Sequence, residues 1–259
     1  MATYYISSSG NDTTGNGSIS TPWQTITKVN TEWSTGTFAP GDNILFKRGD
    51  TFYGTITITG SGVSGSPITI GAYGTGNKPI ITGFTTLTGW ELHSGSIYKT
   101  TITETQAQTN SVIVNNIFTG MGRYPDAGTW RSYTTGGTAT LYDATLPDSP
   151  NWTGAEVVIN KEYWITDRCT ITDHSSGTLT YTGGKYNNTS PNRRYFIQND
   201  LRTVTTTNEW YHDFSGNVFY IYGDPSEKEV KVATLNYLLY NNDHDYINID
   251  NINFSGSIS

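Results

Sequence analysis

The sequence predicts an all-β protein built from many short strands. Charged residues make up 14% of the 259 residues, against about a quarter in an average globular protein, while aromatic residues reach 13%. Thr and Tyr favour the pleated, half-buried surface of a sheet, and Gly and Asn supply turns with positive φ. Short apolar runs separated by Gly-rich turns recur along the chain, as expected for strands and their connections.

One helix is predicted near the N-terminus. Thr21 is a suitable N-cap and Pro22 fits the first helical position. Trp23, Ile26 and Val29 then recur at helical spacing, so a helix is expected over Pro22–Asn30. Strands are expected around it and after it, at Thr3–Ser7, Asn43–Lys47, Gly54–Thr59, Pro67–Tyr73 and Pro79–Thr82.

The spacing of these strands indicates a repeat. Ile44 and Ile68 are 24 residues apart, and so are Ile56 and Ile80. Strand positions that recur at one interval fit successive coils of a solenoid. Regular hairpins in a β-sandwich produce the same interval, so the spacing leaves both architectures open.

The chain divides into three regions. Residues 1–83 are predicted as an N-terminal cap with first coils, 84–229 as an inserted all-β domain, and 230–259 as a return to coils. The middle region is set apart because the 24-residue interval disappears there and longer strands replace it. These strands are expected at Ser111–Thr119, Ala155–Thr166, Gly177–Thr182, Arg194–Gln198 and Asn217–Tyr222. Short runs resume at Glu229–Ala233 and Asn236–Tyr240.

Six segments match the pattern of one known family in order along the chain. They are TYYISSSGNDTTGNGSISTPWQTITKVN, APGDNILFKRGDTFYGTITI, GSPITIGAYGTGNKPIITG, NSVIVNNIFTGMGRYPDAG, NEWYHDFSGNVFYIYGDPSEKEVKVA and YINIDNINFSG. Together they resemble the N-terminal portion of right-handed parallel β-helix proteins that act on carbohydrates. That family includes polysaccharide lyases, glycoside hydrolases and viral tail spikes.

The resemblance implies both a fold and two functional hypotheses. The fold is the N-terminal cap and first coils of a right-handed parallel β-helix, carrying an inserted all-β domain and continuing in a longer chain. The first hypothesis is a secreted, extracellular protein that binds and degrades polysaccharide as a lyase or a glycoside hydrolase. The alternative is a non-catalytic, glycan-binding component of a phage tail, favoured by an N-terminus, MATYYISSSG, without signal-peptide character.

The resemblance also bears on partners. Active sites in this family usually lie on later coils, so the catalytic residues stay unknown. Coil edges expose unpaired backbone groups, and nothing in the sequence covers the run Ile247–Phe254. We therefore expect further β-helix coils or another subunit at that end.

Composition excludes several other classes of partner. A net charge of -7 with scattered basic residues argues against a nucleic-acid ligand. No stretch approaches the roughly 18 apolar residues of a membrane span. The single cysteine, Cys169, excludes an internal disulfide and is expected to be a small buried hydrophobe.

Aromatic residues and arginines of the middle region are the candidate substrate-binding residues. Sugar rings stack on aromatic planes, and Trp and Tyr add a polar group to the ring face. An arginine also provides a cation for an acidic sugar. The predicted binding residues are Arg123, Tyr124, Trp130, Tyr133 and Trp152, whereas Trp164 and Trp210 are expected in the core.

Catalytic and metal-binding residues are not assigned. Cleavage of a glycosidic bond usually needs two carboxylates about 5–10 Å apart, and no short motif pairs any two acids of the middle region. Those acids are Glu91, Glu104, Asp126, Asp143, Glu156, Glu162, Asp200, Glu209 and Asp213. Asp243 and Asp245 supply oxygen ligands of the kind that Ca²⁺ prefers. They lack EF-hand spacing, so the simpler interpretation is a turn between strands.

Overall fold

The computed structural model describes residues 1–103, 105–186 and 190–258. Its described part is mostly β-structure, with one α-helix, α1 (Ile26–Ser34), and a short 3₁₀-helix at Leu201–Thr203. Within the described residues no helix has the length and hydrophobicity that a membrane crossing requires.

The strands are short and follow one another along the whole chain. The first half contains β1 (Thr3–Ile6), β2 (Asn43–Lys47), β3 (Thr51–Tyr53), β4 (Ile56–Ile58), β5 (Ile68–Tyr73), β6 (Ile80–Thr82), β7 (Phe84–Thr86), β8 (Glu91–Ser94), β9 (Ile97–Thr101), β10 (Val112–Val114), β11 (Ile117–Thr119) and β12 (Arg123–Tyr124). The second half contains β13 (Arg131–Ser132), β14 (Thr135–Gly136), β15 (Thr140–Tyr142), β16 (Glu156–Glu162), β17 (Ile165–Ser175), β18 (Thr178–Thr182), β19 (Arg194–Gln198), β20 (Trp210–Asp213), β21 (Val218–Tyr222), β22 (Val230–Ala233), β23 (Leu239–Asn241), β24 (Ile247–Ile249) and β25 (Asn253–Ser255).

The chain forms two compact units, each with its own core. Unit 1 comprises Met1–Thr86, Glu104–Val112 and Lys231–Ser259, and unit 2 comprises Leu87–Thr103 and Ile113–Val230. Most of unit 1 therefore comes from the two ends of the chain, and unit 2 comes from its middle.

Parallel strand pairing joins the two ends of the chain in unit 1. Strands β1, β2, β5 and β24 form one sheet in that order, β3, β6 and β25 form another, and β4 pairs with β23. All of these pairs are parallel. Strands β23, β24 and β25 follow unit 2 in the sequence. After unit 2 the chain therefore returns to unit 1, where these strands extend its parallel sheets.

Apolar residues stack in columns across the parallel strands. Ile44 lies beside Ile70, and Ile70 lies beside Ile249. Phe52, Ile81 and Phe254 align in the same way. The members of the inner strands are buried, and burial of one such side chain contributes about 1.5–3 kcal/mol to folding.

The register of these strands differs from the predicted 24-residue interval. Ile44 pairs with Ile70 rather than Ile68, and Ile80 pairs with Thr51 rather than Ile56. Ile56 instead pairs with Leu239, on the far side of unit 2 in sequence. The predicted interval was wrong because alternating isoleucines give every strand the same local pattern, and β3 was not recognised as a separate strand.

The helix begins later than predicted. Thr25, not Thr21, is the N-cap, and its side chain accepts a hydrogen bond from the Lys28 amide. Trp23 forms a parallel bridge with Ile6 of β1 instead. Because the Trp23 backbone pairs with a strand, it is not available for the first helical turn.

Unit 2 is built on an antiparallel sheet of eight strands. Its order is β12-β19-β16-β17-β18-β15-β14, with β13 also paired to β19. The inner face carries the core of the unit, which includes Val157, Ile159, Cys169, Tyr195 and Ile197. Cys169 is buried as predicted. A second antiparallel sheet of the unit has the order β20-β21-β9-β8.

Candidate functional site

The candidate site lies on the outer face of the eight-stranded sheet of unit 2, around Trp130. This residue directly precedes β13, and the pairing of Arg131 with Tyr195 holds β13 against β19. The Trp130 ring packs edge-on against Phe196 of β19, with 5.1 Å between ring centroids. Trp130 remains 42% exposed, so a large aromatic surface faces solvent on a rigid support.

Arg123 supports Trp130 from within the protein. Its guanidinium lies 4.9 Å from the Trp130 ring centroid and 4.0 Å from that of Phe196. Nε donates to the Pro125 carbonyl at 3.0 Å, and Nη2 donates to the Thr129 carbonyl. Burial lowers the pKa of Arg123 from its ordinary value. Arg123 therefore holds the 125–129 loop beneath Trp130 through two of its five N–H donors.

Tyr133 and Trp152 lie in the core of unit 2. Tyr133 is 1% exposed and Trp152 is 2% exposed. The Tyr133 hydroxyl donates to the Asn160 carbonyl at 3.2 Å, while Trp152 stacks on the half-buried Tyr124 at 5.3 Å between centroids. The two buried rings offer no face to a ligand, because the interior of the sheet offers them more apolar contact than its surface does.

A buried polar network lies beside Tyr124. Arg131 Nε is 2.8 Å from Asp143 Oδ2 and 3.0 Å from the Tyr195 hydroxyl. Tyr195 in turn donates to Asp143 at 2.8 Å. Nη1 of Arg131 reaches the Tyr124 hydroxyl at 3.3 Å, and Nη2 reaches Thr145 at 2.7 Å. This network fixes Arg131, the residue next to Trp130 in the sequence, and therefore one side of the candidate site.

The turn between β16 and β17 presents two aromatic side chains to solvent. Tyr163 is 80% exposed and Trp164 is 81% exposed. The prediction of Trp164 in the core was wrong, because it occupies the turn of a hairpin whose strands shift register between Asn160 and Glu162. The corresponding prediction for Trp210 is confirmed, since that ring is buried and stacks on Phe219 at 5.7 Å.

A cavity of about 630 Å³ lies between Trp130 and Tyr163. Ligand pockets in proteins commonly have volumes of about 300–1,000 Å³. The lining residues are Trp130, Asn160, Tyr163, Thr166, Asn192, Arg193 and Arg194. None of the residues predicted for the site except Trp130 lines this cavity.

Arg193 connects the cavity to Tyr163. Its guanidinium stacks over the Tyr163 ring, 3.6 Å from the centroid. Nη2 lies 3.4 Å from Glu162 Oε2, and Nε is buried without a hydrogen-bond partner among the described residues. The Glu162 carboxylate also accepts a hydrogen bond from the Ser190 hydroxyl. Arg193-Arg194 is one of two adjacent basic pairs in the sequence, the other being Lys47-Arg48, and it was the available signal for this part of the site.

A second cavity, of about 520 Å³, is also lined by Trp130. Its lining residues are Pro125, Thr129, Trp130, Arg131, Ser132, Thr134, Asp143, Ala144 and Thr145. Trp130 therefore contributes to two concavities of unit 2.

The candidate acids of unit 2 are engaged with neighbouring groups wherever the structure describes them. Glu104 lies outside the described residues. Ion pairs join Glu91 to Lys99, Asp143 to Arg131, Glu156 to Arg168, Glu162 to Arg193 and Asp200 to Arg202. Hydrogen bonds from the 205–206 segment reach Asp126 and Glu209, and those from Ser215 and Gly216 reach Asp213.

The pKa values of three of these acids lie below their ordinary value. Burial opposes ionisation of Asp143 and Asp200, but hydrogen bonds from Thr145 to the first and from Arg202 to the second outweigh it. The pKa of Asp213 is lowered chiefly by the hydrogen bond from Ser215. A general acid in glycan cleavage needs a raised pKa, so these three carboxylates are poor candidates for that role.

Asp243 and Asp245 lie on an exposed turn between β23 and β24. The Asn241 side chain accepts a hydrogen bond from the His244 amide at 3.1 Å, and the Asp245 amide donates to Ser61 at 3.1 Å. Across the described ranges of the chain, no group of three or more His, Cys, Asp or Glu side chains is placed to hold a metal ion.

Solved structures with the same fold come from carbohydrate-active proteins. A structure described as a glycoside hydrolase matches 100% of this chain with a TM-score of 0.78 at 19% sequence identity. The complex of XylC with xylose matches 99% of it with a TM-score of 0.50 at 16% identity. At these identities the likeness shows the fold alone. The chain spans 51% of the first protein and 36% of the second.

A third match is short. The GH136 lacto-N-biosidase from Eubacterium ramulus is 33% identical over 33% of this chain and 14% of its own, with a TM-score of 0.29. A match of this extent does not show a common fold. No protein-family model and no curated protein matches the sequence.

Proposed function

We propose that the chain is the N-terminal part of a polysaccharide-binding and polysaccharide-degrading protein, in which unit 1 begins a right-handed parallel β-helix. The parallel columns of unit 1 support the helical arrangement. Crossovers between parallel strands are right-handed in about 98% of cases, which supports the handedness. Unit 2 is then a domain inserted between the coils that contain β2 to β6 and the coil that contains β23 to β25.

The glycan-binding face, in this proposal, is the surface around Trp130. The observation that carries it is that the exposed Trp130 lines two cavities, of about 630 and 520 Å³. Tyr163 and Trp164 present two more exposed rings at one end. Sugar rings stack on such aromatic planes through their C–H faces, so an oligosaccharide fits this surface better than a compact ligand does.

Binding, rather than bond cleavage, is the role we assign to unit 2. Among the described residues, each candidate acid is held in an ion pair or by hydrogen bonds. We assign cleavage to other coils of the whole protein. A binding face serves both the secreted extracellular enzyme and the viral tail component, because each must hold a glycan.

The partner proposed for the edge of unit 1 formed by β23, β24 and β25 is a further coil of the β-helix or another subunit. Strands β23, β24 and β25 each lie at the edge of their sheet. Edge strands carry unpaired backbone groups that pair readily with another strand.

The binding proposal is tested by replacing the aromatic rings. Binding of the chain to a panel of neutral and acidic polysaccharides is measured by isothermal titration calorimetry. We expect Trp130→Ala and Tyr163→Ala each to weaken binding about 5- to 30-fold, because a lost stacking contact of about 1–2 kcal/mol has that effect. Tyr163 is 80% exposed, so its replacement leaves folding intact.

Tyr142→Ala is the matched control. Tyr142 is 39% exposed, close to the value for Trp130, and lies on β15 of the same sheet outside both cavities. Unchanged affinity in both ring variants, or absence of binding to every polysaccharide, contradicts the proposal.

A further inference from the structure

We infer that the ligand of the cavity between Trp130 and Tyr163 is an acidic glycan whose carboxylate is held by Arg193 and Arg194. This inference rests on the proposed glycan binding and specifies the class of sugar. Its basis is the state of the two guanidinium groups that line the cavity.

Arg193 is oriented for a planar, two-oxygen acceptor. Its face is occupied by Tyr163, 3.6 Å away, which leaves the N–H edge for contacts in the plane of the group. Along that edge Nε is buried and has no partner in the part of the chain that the structure describes. Carboxylates bind this edge of arginine through two parallel hydrogen bonds.

Glu162 engages Arg193 only at Nη2, through a long hydrogen bond. The separation of 3.4 Å between Nη2 and Glu162 Oε2 exceeds the 2.7–2.9 Å typical of a charge-assisted hydrogen bond. The same carboxylate accepts a hydrogen bond from Ser190. A buried donor without a partner is unfavourable, so a ligand oxygen at Nε relieves a cost that the unbound protein carries.

The cavity is positively charged while the chain as a whole is negative. Arg193 and Arg194 line it, and none of its described lining residues is acidic, although Glu162 is ion-paired with Arg193. Other arginines of unit 2 form shorter ion pairs, at 2.5–2.8 Å: Arg131 with Asp143, Arg168 with Glu156 and Arg202 with Asp200. The net charge of -7 repels polyanions at long range, so recognition of an acidic glycan depends on this local pair.

The experiment compares each acidic polymer with a carboxyl-reduced form of the same backbone. The probes are oligosaccharides of polygalacturonate, alginate and hyaluronan, and their counterparts in which each carboxylate has become a primary alcohol. Titration calorimetry of the full chain is expected to show binding of at least one acidic probe. Its reduced counterpart is expected to bind about 10- to 100-fold more weakly, the effect of losing hydrogen bonds to a charged group.

Variants assign the effect to Arg193. Arg193→Gln and Arg193→Lys are expected to lose most of the difference between acidic and reduced probes, because lysine keeps the charge but not the planar edge. Arg168→Gln is the control, since Arg168 lies on β17, is paired with Glu156 and does not line the cavity. Circular dichroism melting curves identify any variant that fails to fold, and Arg194→Gln then replaces it.

Two negative outcomes are distinguishable. If reduced or neutral probes bind as tightly as acidic ones, or if Arg193→Gln preserves the difference, the acidic-glycan inference is overturned and glycan binding stands. If no probe of either kind binds, the proposed function fails and the inference fails with it.

Discussion

Asp143 and Arg131 form a buried ion pair inside unit 2, next to the candidate site. Their side chains are 4% and 15% exposed. Burial opposes ionisation of Asp143, but hydrogen bonds from Thr145, Tyr195 and Arg131 outweigh it and hold the pKa of Asp143 below its ordinary value. A carboxyl whose pKa is lower in the folded protein stabilises the fold above its unfolded pKa of about 3.9, and this contribution is lost as the pH falls through the lower, folded pKa.

Asp143→Asn is therefore expected to lower the free energy of unfolding by about 3 kcal/mol at pH 7, because Arg131 keeps a buried charge without its counterion. Urea unfolding curves at pH 7 measure the loss, and curves at decreasing pH below 4 should show the difference from the native protein shrinking. Glu91→Gln is the control. Glu91 and Lys99 are 3.9 Å apart and exposed, and such pairs contribute at most about 1 kcal/mol. Equal effects of the two substitutions contradict this account.

At the scale of a single element, the start of α1 depends on a residue from another segment. The Asp12 carboxylate accepts hydrogen bonds from the amides of Gln24 and Thr25 at 2.6 and 3.1 Å, and from the Thr25 hydroxyl at 2.6 Å. Thr25 Oγ1 then accepts from the Lys28 amide. Asp12 thus fixes the rotamer of the capping residue, and the helix begins at Ile26 for this reason.

Replacement of Thr25 by Ala is expected to destabilise the protein by about 1 kcal/mol, the usual contribution of an N-cap. Thr27→Ala, in the exposed first turn, should have a neutral or slightly stabilising effect because Ala has the higher helix propensity. Thermal unfolding followed by circular dichroism compares the two variants. A Thr25→Ala melting temperature no lower than that of Thr27→Ala means that Thr25 is not the cap.

At the scale of the whole molecule, the apolar columns of unit 1 end at exposed side chains. Ile44 and Ile70 are fully buried, whereas Ile249, the third member of their column, is 40% exposed. Phe254 ends the second column at the same exposure. Ile249 and Phe254 lie on β24 and β25, which are the last strands of their sheets. At the surface formed by these two strands, both the side chains and the backbone are therefore incompletely covered.

We expect the isolated chain to self-associate through this surface as its concentration rises. Sedimentation velocity over a range of concentrations measures the association. The double substitution Ile249→Lys and Phe254→Lys should reduce it, because charged side chains on an edge oppose strand pairing. Val63→Lys, at an exposed apolar position of unit 1, is the control. A monomer at all concentrations, or association unchanged in the double variant, contradicts the expectation.

The positions of most strands follow from the local pattern of residues. Predicted and observed bounds coincide for β2 and β19 and differ by one or two residues for β5 and β18. Alternation of apolar and polar side chains is a local property, and turn residues limit each run, so both can be read without knowing the partner strand.

The candidate site is harder to predict from the local pattern of residues. Trp130, Tyr133, Trp152 and Trp164 are equally aromatic, yet two are buried and two are exposed. Arg123 and Arg193 are equally basic, yet Arg123 donates hydrogen bonds to two carbonyl groups, whereas Nε of Arg193 has no partner among the described residues. These differences depend on which face of the sheet each residue occupies and on what the neighbouring strand brings beside it.

The sequence by itself therefore determined the all-β class, the positions of many of the strands and the absence of an internal disulfide, because composition and local alternation control these properties. Only the tertiary structure decided which strands pair, as in the contact of Ile56 with Leu239, and which rings and cations share a cavity. Pairing between distant segments is set by the fit of whole surfaces, and no single segment of the chain contains that information.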